Sequence, residues 1–178
     1  MKTYLKYGGQ MASYGFIVIM ILYISGMHSA TAKLTVANWA QGIMGLGITI
    51  FCIALGIMER RAHVPAGEDF SYGHAFGAGV MITLFAALFG IVTNLVYTQL
   101  INPDIRELIV QAQIGKWESS GMSSSQIERA EGMMRTMMNP ALQAFFGFCG
   151  GMLFGTLISL VTAAFLKRPG KDELQPVS

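Results

Sequence analysis

The chain has 178 residues, of which only 12% are charged, and its mean hydropathy is +0.50. Soluble domains carry charge on about a quarter of their residues, so this composition excludes an ordinary soluble enzyme and a disordered chain. The net charge of +2 contains no basic run of the kind that binds nucleic acid, and we expect no nucleic-acid partner. The composition predicts a membrane protein, with membrane lipids as its first partners.

The charged residues leave four windows that contain no Asp, Glu, Lys or Arg: residues 7–32, 34–58, 70–103 and 136–166. Each window is longer than the roughly 20 residues that a helix needs to cross the hydrocarbon core. We therefore predict an all-α, polytopic membrane protein, a four-transmembrane-helix bundle that forms a single membrane domain over residues 1–178. The spans are predicted at about residues 10–27, 37–58, 73–97 and 142–166.

The first window also has the features of a secretory signal peptide. Lys2 and Lys6 form a basic start, Gly15–Ile24 is an apolar core, and Ala30-Thr31-Ala32 is a small-x-small site. The uncharged stretch reaches back to Tyr7, which is longer than the apolar core of most signal peptides. We predict a retained span. Cleavage is the alternative, and it would leave three spans with the same orientation.

Basic residues next to the spans predict the orientation, because Lys and Arg are retained in the cytoplasm. One side carries Lys2, Lys6, Arg60, Arg61, Lys167, Arg168 and Lys171. The other side carries Lys33, Arg106, Lys116, Arg129 and Arg135. We therefore predict a multi-pass protein of the bacterial cytoplasmic (inner) membrane. Both termini are expected in the cytoplasm, with a large external segment at residues 98–141.

Small residues recur along three of the spans at helical spacing. They repeat every four residues in the fourth span, and at alternating intervals of four and three in the second and third. Such residues let helix backbones approach closely in lipid. The predicted helix-packing residues are Gly45, Thr49, Gly56, Gly79, Thr83, Gly90, Gly147, Gly151, Gly155 and Ser159. The stripes either pack the helices of one chain or, on the fourth span, form a seam between copies in a homo-oligomer.

The polar residues of the spans are amides near the external ends, namely Asn38, Gln41, Asn94, Gln99 and Gln143. They either line a shallow polar mouth or simply meet interfacial water. No Asp, Glu, Lys or Arg lies inside a predicted span. Intramembrane charges mark proton relays and coupling-ion sites. A proton-coupled antiporter is therefore not expected.

The third span is predicted to begin at a capped segment. Ser71 or Asp69 supplies the cap, and His74 stands one helical turn inside. A histidine in reach of Glu59 or Arg60 would be a pH sensor. The alternative is an interfacial ring that is satisfied by water or by a backbone carbonyl.

Several motifs resemble a known family. They are Met1-Lys-x-x-x-Lys-Tyr-Gly8, Phe70-Ser-Tyr-Gly-His-Ala-Phe-x-x-Gly79, Asn102-Pro103 before a polar helical segment, and Leu157-Ile-Ser-Leu-Val-x-Ala-Ala-Phe-Leu-Lys-Arg168. Over nearly the whole chain, the sequence is similar to an uncharacterised domain-of-unknown-function family of small four-span bacterial inner-membrane proteins. The resemblance implies the fold and the membrane location, and it carries over no catalytic residue.

Two helices are predicted in the external segment. Asn102 and Pro103 are read as the cap and the first residue of a helix that runs to about Trp117. Ser125 and Glu128 have the spacing of a capping box for the second helix.

The second external helix is predicted to be amphipathic, with an apolar face formed by Ile127, Ala130, Met133, Met134, Met137 and Met138. Thioethers are soft ligands that suit Cu(I). No His or Cys nearby completes a site, so we predict no metal and keep the four methionines as weak candidates. Packing on the bundle or the membrane interface, and contact with a partner protein, are the other interpretations.

The sequence contains no Ser-His-Asp or Cys-His arrangement, no zinc spacing and no phosphate-binding loop, so we predict no catalytic residue and no cofactor. The predicted function is that of a non-enzymatic integral membrane protein. It would serve as an assembly or accessory subunit, in a homo-oligomer or in a larger membrane protein complex. The alternative is a small oligomeric transporter or lipid-translocating protein, in which the outer amides form part of a path.

Overall fold

The computed structural model describes residues 1–65 and 67–168. Its helices are α1 (Lys2–Ile24), α2 (Thr31–Ala62), α3 (Tyr72–Val96), which a π-helical segment continues over Tyr97–Ile101, α4 (Ile105–Ser119), α5 (Ser124–Met137) and α6 (Pro140–Leu166). The described residues contain no strand beyond an isolated bridge between Phe70 and Arg168. Lys171, one of the basic residues used for the orientation, lies outside the described residues.

Four of the described helices are long and apolar enough to cross a membrane: Lys2–Ile24, Thr31–Ala62, Tyr72–Ile101 and Pro140–Leu166. The predicted class, a helical membrane bundle, is confirmed. The helices are longer than the predicted spans, and α1 already begins at Lys2. Hydropathy marks the part of a helix that suits lipid, whereas the hydrogen-bonded backbone continues into the charged ends.

Because successive long helices run antiparallel, the bundle has two ends. The basal end holds the start of α1, the end of α2, the start of α3 and the end of α6. The distal end holds the connection from α1 to α2, the π-helical segment, α4, α5 and the start of α6. A core cluster at the basal half contains Tyr7, Ile53, Ile57, Phe70, Ala75, Ala78, Ile82 and Ala163.

The bundle is closed at the basal half and more open at the distal half. In α6 the buried residues are Gly155, Ser159 and Ala163, and no residue before Gly155 in that helix is buried. The distal half has a smaller buried cluster of Leu34, Tyr97 and Ile105. Space between the helices is therefore concentrated near the distal end.

The α3–α6 crossing is built from small residues that face one another in pairs. A methyl group added at Gly79 would lie 2.5 Å from Ser159 Oγ, and one added at Gly155 would lie 2.6 Å from Thr83 Oγ1. Each hydroxyl donates to the glycine carbonyl one turn earlier in its own helix, Thr83 to Gly79 at 3.0 Å and Ser159 to Gly155 at 2.7 Å. The two backbones approach closely without leaving a hydroxyl unpaired.

A second close crossing joins α1 to α3 at a glycine outside the predicted stripes. A methyl group added at Gly8 would lie 2.6 Å from Phe85 Cβ, and 2.9 Å from both the Ala86 nitrogen and the Ile82 carbonyl oxygen. Gly9, the next residue, has only Phe89 nearby, at 3.8 Å. Only one glycine of this pair is at the contact.

Polar contacts fasten the basal end. Glu59 accepts hydrogen bonds from Lys6 Nζ at 2.6 Å, from Tyr7 Oη at 2.9 Å and from Thr3 Oγ1 at 3.0 Å. These bonds tie the start of α1 to the end of α2. Arg168 donates to the carbonyls of Val64, Pro65 and Glu68, which ties the α2–α3 loop to the end of α6.

Among the described residues, His74 makes no hydrogen bond to Glu59 or Arg60, and α1 supplies the partners of the Glu59 carboxylate. The His74 ring stacks on Phe70, and its Nδ1 lies 3.1 Å from Ser71 Oγ. Of the two predicted caps, Ser71 is the one used, since its hydroxyl accepts a hydrogen bond from the His74 backbone nitrogen.

Both predicted starts of the external helices are wrong by about two residues. Helix α4 begins at Ile105 rather than at Pro103, because the backbone nitrogen of Asn102 bonds to the Tyr97 carbonyl and closes the π-helical segment instead. The capping box of α5 is formed by Ser123 and Gln126, not by Ser125 and Glu128. A glutamine serves at this position as well as a glutamate.

Candidate functional site

Amide side chains from three helices gather around one cavity at the distal end, which we call the distal cavity. Its volume is 220 Å³. Asn38 and Gln41 of α2, Asn94 of α3 and Gln143 of α6 all line it. These are four of the five amides that the sequence placed near the external ends of the spans. The same cavity is lined by Arg106, His28, Tyr97 and Thr98, and by apolar residues of α1, α2 and α4.

Arg106 is the one Lys or Arg among the described residues that line the distal cavity. It lies in the first turn of α4, and its Nη2 donates to Thr98 Oγ1 at 3.1 Å. We orient the Gln99 amide with its oxygen toward the guanidinium, since the opposite orientation would bring donors together. In this orientation Gln99 accepts from Nη2 at 2.6 Å and from Nη1 at 3.2 Å. Gln99, the fifth predicted amide, therefore positions Arg106 from outside the cavity lining.

The charge of Arg106 has no counter-charge in the distal cavity. Among the described residues that line it, none is a carboxylate. The Nε of Arg106 is buried, and no described atom accepts a hydrogen bond from it. An unpaired buried donor costs free energy, and the positive charge of the guanidinium would stabilise an anion in the cavity. The sequence did not reveal that Arg106 lines this cavity, because an arginine in an external helix is normally a solvated charge.

A buried polar chain supports the wall of the distal cavity. Asn102 Nδ2 donates to the Tyr97 hydroxyl oxygen at 3.0 Å, and Tyr97 Oη lies 2.6 Å from His28 Nδ1. Because Asn102 occupies the oxygen as a donor, we assign the Tyr97 proton to the bond with His28, whose Nδ1 is then the acceptor. The π-helical segment that begins at Tyr97 aims this hydroxyl at the α1–α2 connection. Segments of this kind are frequent at functional sites.

Stability is expected to depend on pH through His28. Burial lowers the His28 pKa below its ordinary value of 6.5, so the unfolded chain binds this proton at a higher pH than the folded chain does. The contribution of His28 is complete above pH 6.5 and is lost as the pH falls from there toward the folded pKa. We expect the Tm of the wild type to fall more steeply than that of His28→Gln between about pH 7 and pH 5. Parallel pH profiles in a thermal unfolding assay would contradict this.

Helix α5 is held to the bundle through α4. Arg135 donates to Glu107 at 2.7 and 3.0 Å and to Glu131 at 2.7 Å. The hydrogen bonds from Arg135 lower the pKa of Glu107 to about 2, so this pair stays charged over the physiological range. No residue of α5 is buried. Arg106, Glu107 and Arg135 also line a wider cavity of 480 Å³ between α4, α5 and the start of α6.

Some of the predicted packing residues lie at contacts between helices in the structure, and others do not. Gly56, Gly79, Thr83, Gly155 and Ser159 lie at contacts between helices. Gly151 only touches Ala87, at 4.0 Å, and Thr49 donates to the Gly45 carbonyl of its own helix. Gly45, Gly90 and Gly147 have no neighbour within 4 Å of an added methyl group, so no described helix approaches them.

The methionine face of α5 is largely uncovered. Met133 and Met137 are exposed, with 69% and 51% of their surface accessible. Met134 and Met138 are half-buried, and Met138 lines the wider cavity beside Arg135. No group of three or more His, Cys, Asp or Glu residues suited to a metal ion occurs among residues 1–65 and 67–168.

These features define a class, namely a multi-pass helical membrane protein with a polar cavity between its helices and an arginine in its wall. The chain belongs to the family described as "Protein of unknown function (DUF4199)", which matches residues 6–168. The resemblance to an uncharacterised family is thereby confirmed. No curated protein and no solved structure matches the chain.

Proposed function

We propose that this chain is a non-enzymatic membrane protein whose distal cavity binds a phosphate- or carboxylate-bearing ligand. The observation that carries the proposal is the guanidinium of Arg106, which lines the distal cavity while no carboxylate is among the described residues that line it. The amides of Asn38, Gln41 and Gln143 supply neutral donors around the same space. The chemistry supports the transporter or lipid-handling alternative over a purely structural role.

The groups in the distal cavity support binding rather than catalysis. The polar side chains among its described lining residues are the amides, the Thr98 hydroxyl, the Arg106 guanidinium and the His28–Tyr97 pair. The Nδ1 of His28 is occupied by Tyr97, and the Thr98 hydroxyl donates to the Asn94 carbonyl at 2.9 Å. A hydrolase or transferase that forms a covalent intermediate needs a nucleophile beside a free general base. The hydrogen bonds of His28 and Thr98 therefore favour binding over this kind of catalysis.

The proposed setting is the bacterial inner membrane, with the basal end in the cytoplasm. Lys2, Lys6, Arg60, Arg61, Lys167 and Arg168 cluster at the basal end. Positive residues at the ends of spans favour retention on the cytoplasmic side. In this orientation the distal cavity opens on the external side, and Arg106 meets its ligand there.

Inorganic phosphate tests the proposed anion site. A ligand that binds only the folded state raises the Tm, and at a fixed ligand concentration a tighter ligand raises it more. We expect phosphate to raise the Tm of the wild type in neutral detergent, relative to chloride at matched ionic strength. A hydrogen bond to a charged group contributes about 1.5–3 kcal/mol, so Arg106→Gln is expected to weaken phosphate binding by about tenfold or more.

The matched control is Lys116→Gln, which removes one positive charge from an exposed position of the same helix. It should keep the phosphate response of the wild type, because Lys116 does not line the distal cavity. Equal responses in Arg106→Gln and the wild type, or no phosphate response in the wild type, would overturn the proposal.

A second candidate function is association with a partner protein or another copy through α5. It is favoured by the exposure of Met133 and Met137 on a helix that has no buried residue. Flexible methionine faces suit adaptable protein contacts. Purification in mild detergent followed by mass measurement tests this function. A complex that dissociates when Met133 and Met137 are both changed to Ser would support it. A lone monomer for the wild type and the double variant would refute it.

Added Cu(I) tests the methionines as metal ligands. Because we predict no metal site, we expect the Tm to stay unchanged in Cu(I), and a higher Tm would contradict this.

A further inference from the structure

We infer that the anion of the distal cavity is the head group of an anionic phospholipid, and that one hydrocarbon chain of this lipid lies in a groove between α1, α2 and α3. This inference rests on the proposed anion site and goes beyond it, because it names the ligand as a bilayer lipid. The groove has a volume of 270 Å³. Its walls include Gly15 and Phe16 of α1, Gly45 and Ile48 of α2, and Gly90 of α3.

The groove adjoins the distal cavity. Ile19, Gln41 and Asn94 line both of them, so the polar space around Arg106 lies next to the apolar space between the helices. Among the described residues that line the groove, Thr93 is the one with a hydroxyl, and this hydroxyl donates to the Gly90 carbonyl at 3.1 Å. A polar end with a positive charge, followed by an apolar slot, matches an amphiphile with an anionic head.

Three glycines leave the open space of the groove, because they have no side chains to fill it. Gly15, Gly45 and Gly90 come from three different helices, and an added methyl group at any of them would meet no atom within 4 Å. The contrast is with Gly8, Gly79 and Gly155, where an added methyl group would lie at or below 2.6 Å from a neighbouring helix. The first three glycines therefore leave space open instead of bringing helices together.

The depth of the groove suits a chain in the leaflet nearest the distal end. Gln41 and Ile48 are seven residues apart on α2, which corresponds to about 10 Å at the rise of an α-helix. Half of the hydrocarbon core is roughly 15 Å thick. A chain that leaves the distal cavity at Gln41 would therefore stay beside the protein for most of its leaflet.

The charge at the distal end selects the kind of lipid. Among the described lining residues, Arg106 carries a positive charge, and no carboxylate is available to bind a choline or ethanolamine group. The positive charge of a guanidinium attracts the negative charge of a phosphate diester. A head group with net negative charge is favoured over a zwitterionic one.

Photo-crosslinking in nanodiscs tests the inference. The probe is a phosphatidylglycerol that carries a diazirine midway along one chain, and the labelled residues are mapped by mass spectrometry. We expect labels on Phe16 and Ile48. Gly15→Leu and Gly90→Leu fill the groove from two different helices, and each should lower these labels about tenfold, the loss that corresponds to 1.4 kcal/mol. Gly147→Leu, at an open glycine outside the groove, should leave them unchanged.

The outcomes separate this inference from the anion site itself. If the probe labels only outward positions of α6 such as Leu153 and Phe165 while phosphate still raises the Tm, the lipid inference is overturned and the anion site stands. Groove labels that survive both leucine variants also overturn it. Loss of the phosphate response, together with loss of groove labels in the wild type, would overturn both proposals.

Discussion

Alanine at position 8 is expected to destabilise the bundle by about 1–3 kcal/mol, the usual cost of forcing an extra methyl group into a packed contact. The added carbon would lie 2.9 Å from two backbone atoms of α3, the Ala86 nitrogen and the Ile82 carbonyl oxygen. Backbone atoms inside a helix cannot rotate away as a side-chain end can, so α1 and α3 must separate. Denaturant unfolding in mixed micelles measures the change in the free energy of unfolding.

Gly9→Ala is the matched control for Gly8→Ala. The two variants have the same gain in helix propensity, about 1 kcal/mol, so their difference isolates the contact with α3. At Gly9 the nearest neighbour of the added carbon is Phe89 at 3.8 Å, an ordinary van der Waals distance. Gly9→Ala should be neutral or stabilising. Equal stability of the two variants would contradict the proposed α1–α3 crossing.

Gly155→Ala is expected to have the second large effect on stability, again about 1–3 kcal/mol. The added carbon would overlap the side chain of Thr83, which is buried and held by its hydrogen bond to the Gly79 carbonyl. Gly147→Ala lies two turns earlier on the same stripe, where the added carbon meets nothing within 4 Å. That control should be neutral or stabilising under the same denaturant, as Gly9→Ala should be.

A double variant makes the Gly155 prediction specific. Thr83→Ala removes Cγ2 and Oγ1, the two atoms nearest to the new methyl group, so it should restore part of the stability lost in Gly155→Ala. The two positions are in contact, and contacting residues typically show interaction energies of about 0.5–3 kcal/mol in a double-mutant cycle. Strict additivity of the two substitutions would show that the α3–α6 crossing does not pass through this pair.

The class of the fold was predictable because long charge-free windows have few physical interpretations. The helix starts were harder to predict, since Asn102 and Ser123 compete with neighbouring residues for the same backbone donors. Position 123 became the cap of α5 because Gln126 could complete the capping box. Which residue becomes the cap depends on local geometry, and several neighbouring residues of the right type satisfy the sequence pattern equally well.

The roles of the glycines could not be separated from spacing alone. Gly79 and Gly90 belong to one predicted stripe on α3, yet the first touches α6 and the second borders a groove. The difference arises because α6 packs closely only from Gly155 onward, a property of the whole bundle. Gly8 lies at a helix contact although no stripe runs through it.

The candidate site was partly visible in the sequence. The amides at the span ends identified the polar side of the distal cavity, because an amide near a membrane interface is a plausible lining group. Arg106 is far from Asn38 and Gln41 in sequence and lies in a helix predicted to be in the external segment. Its place in the cavity follows from the turn at Asn102, which brings the first turn of α4 back over the bundle.

Native mass spectrometry of the protein released from its own membrane in neutral detergent tests the central claim, that Arg106 holds an anionic ligand in the distal cavity. We predict that the wild type and Lys116→Gln carry a bound anionic phospholipid, and that its occupancy falls about tenfold or more in Arg106→Gln. Equal occupancy in the wild type and in Arg106→Gln, at equal Tm, would contradict the account.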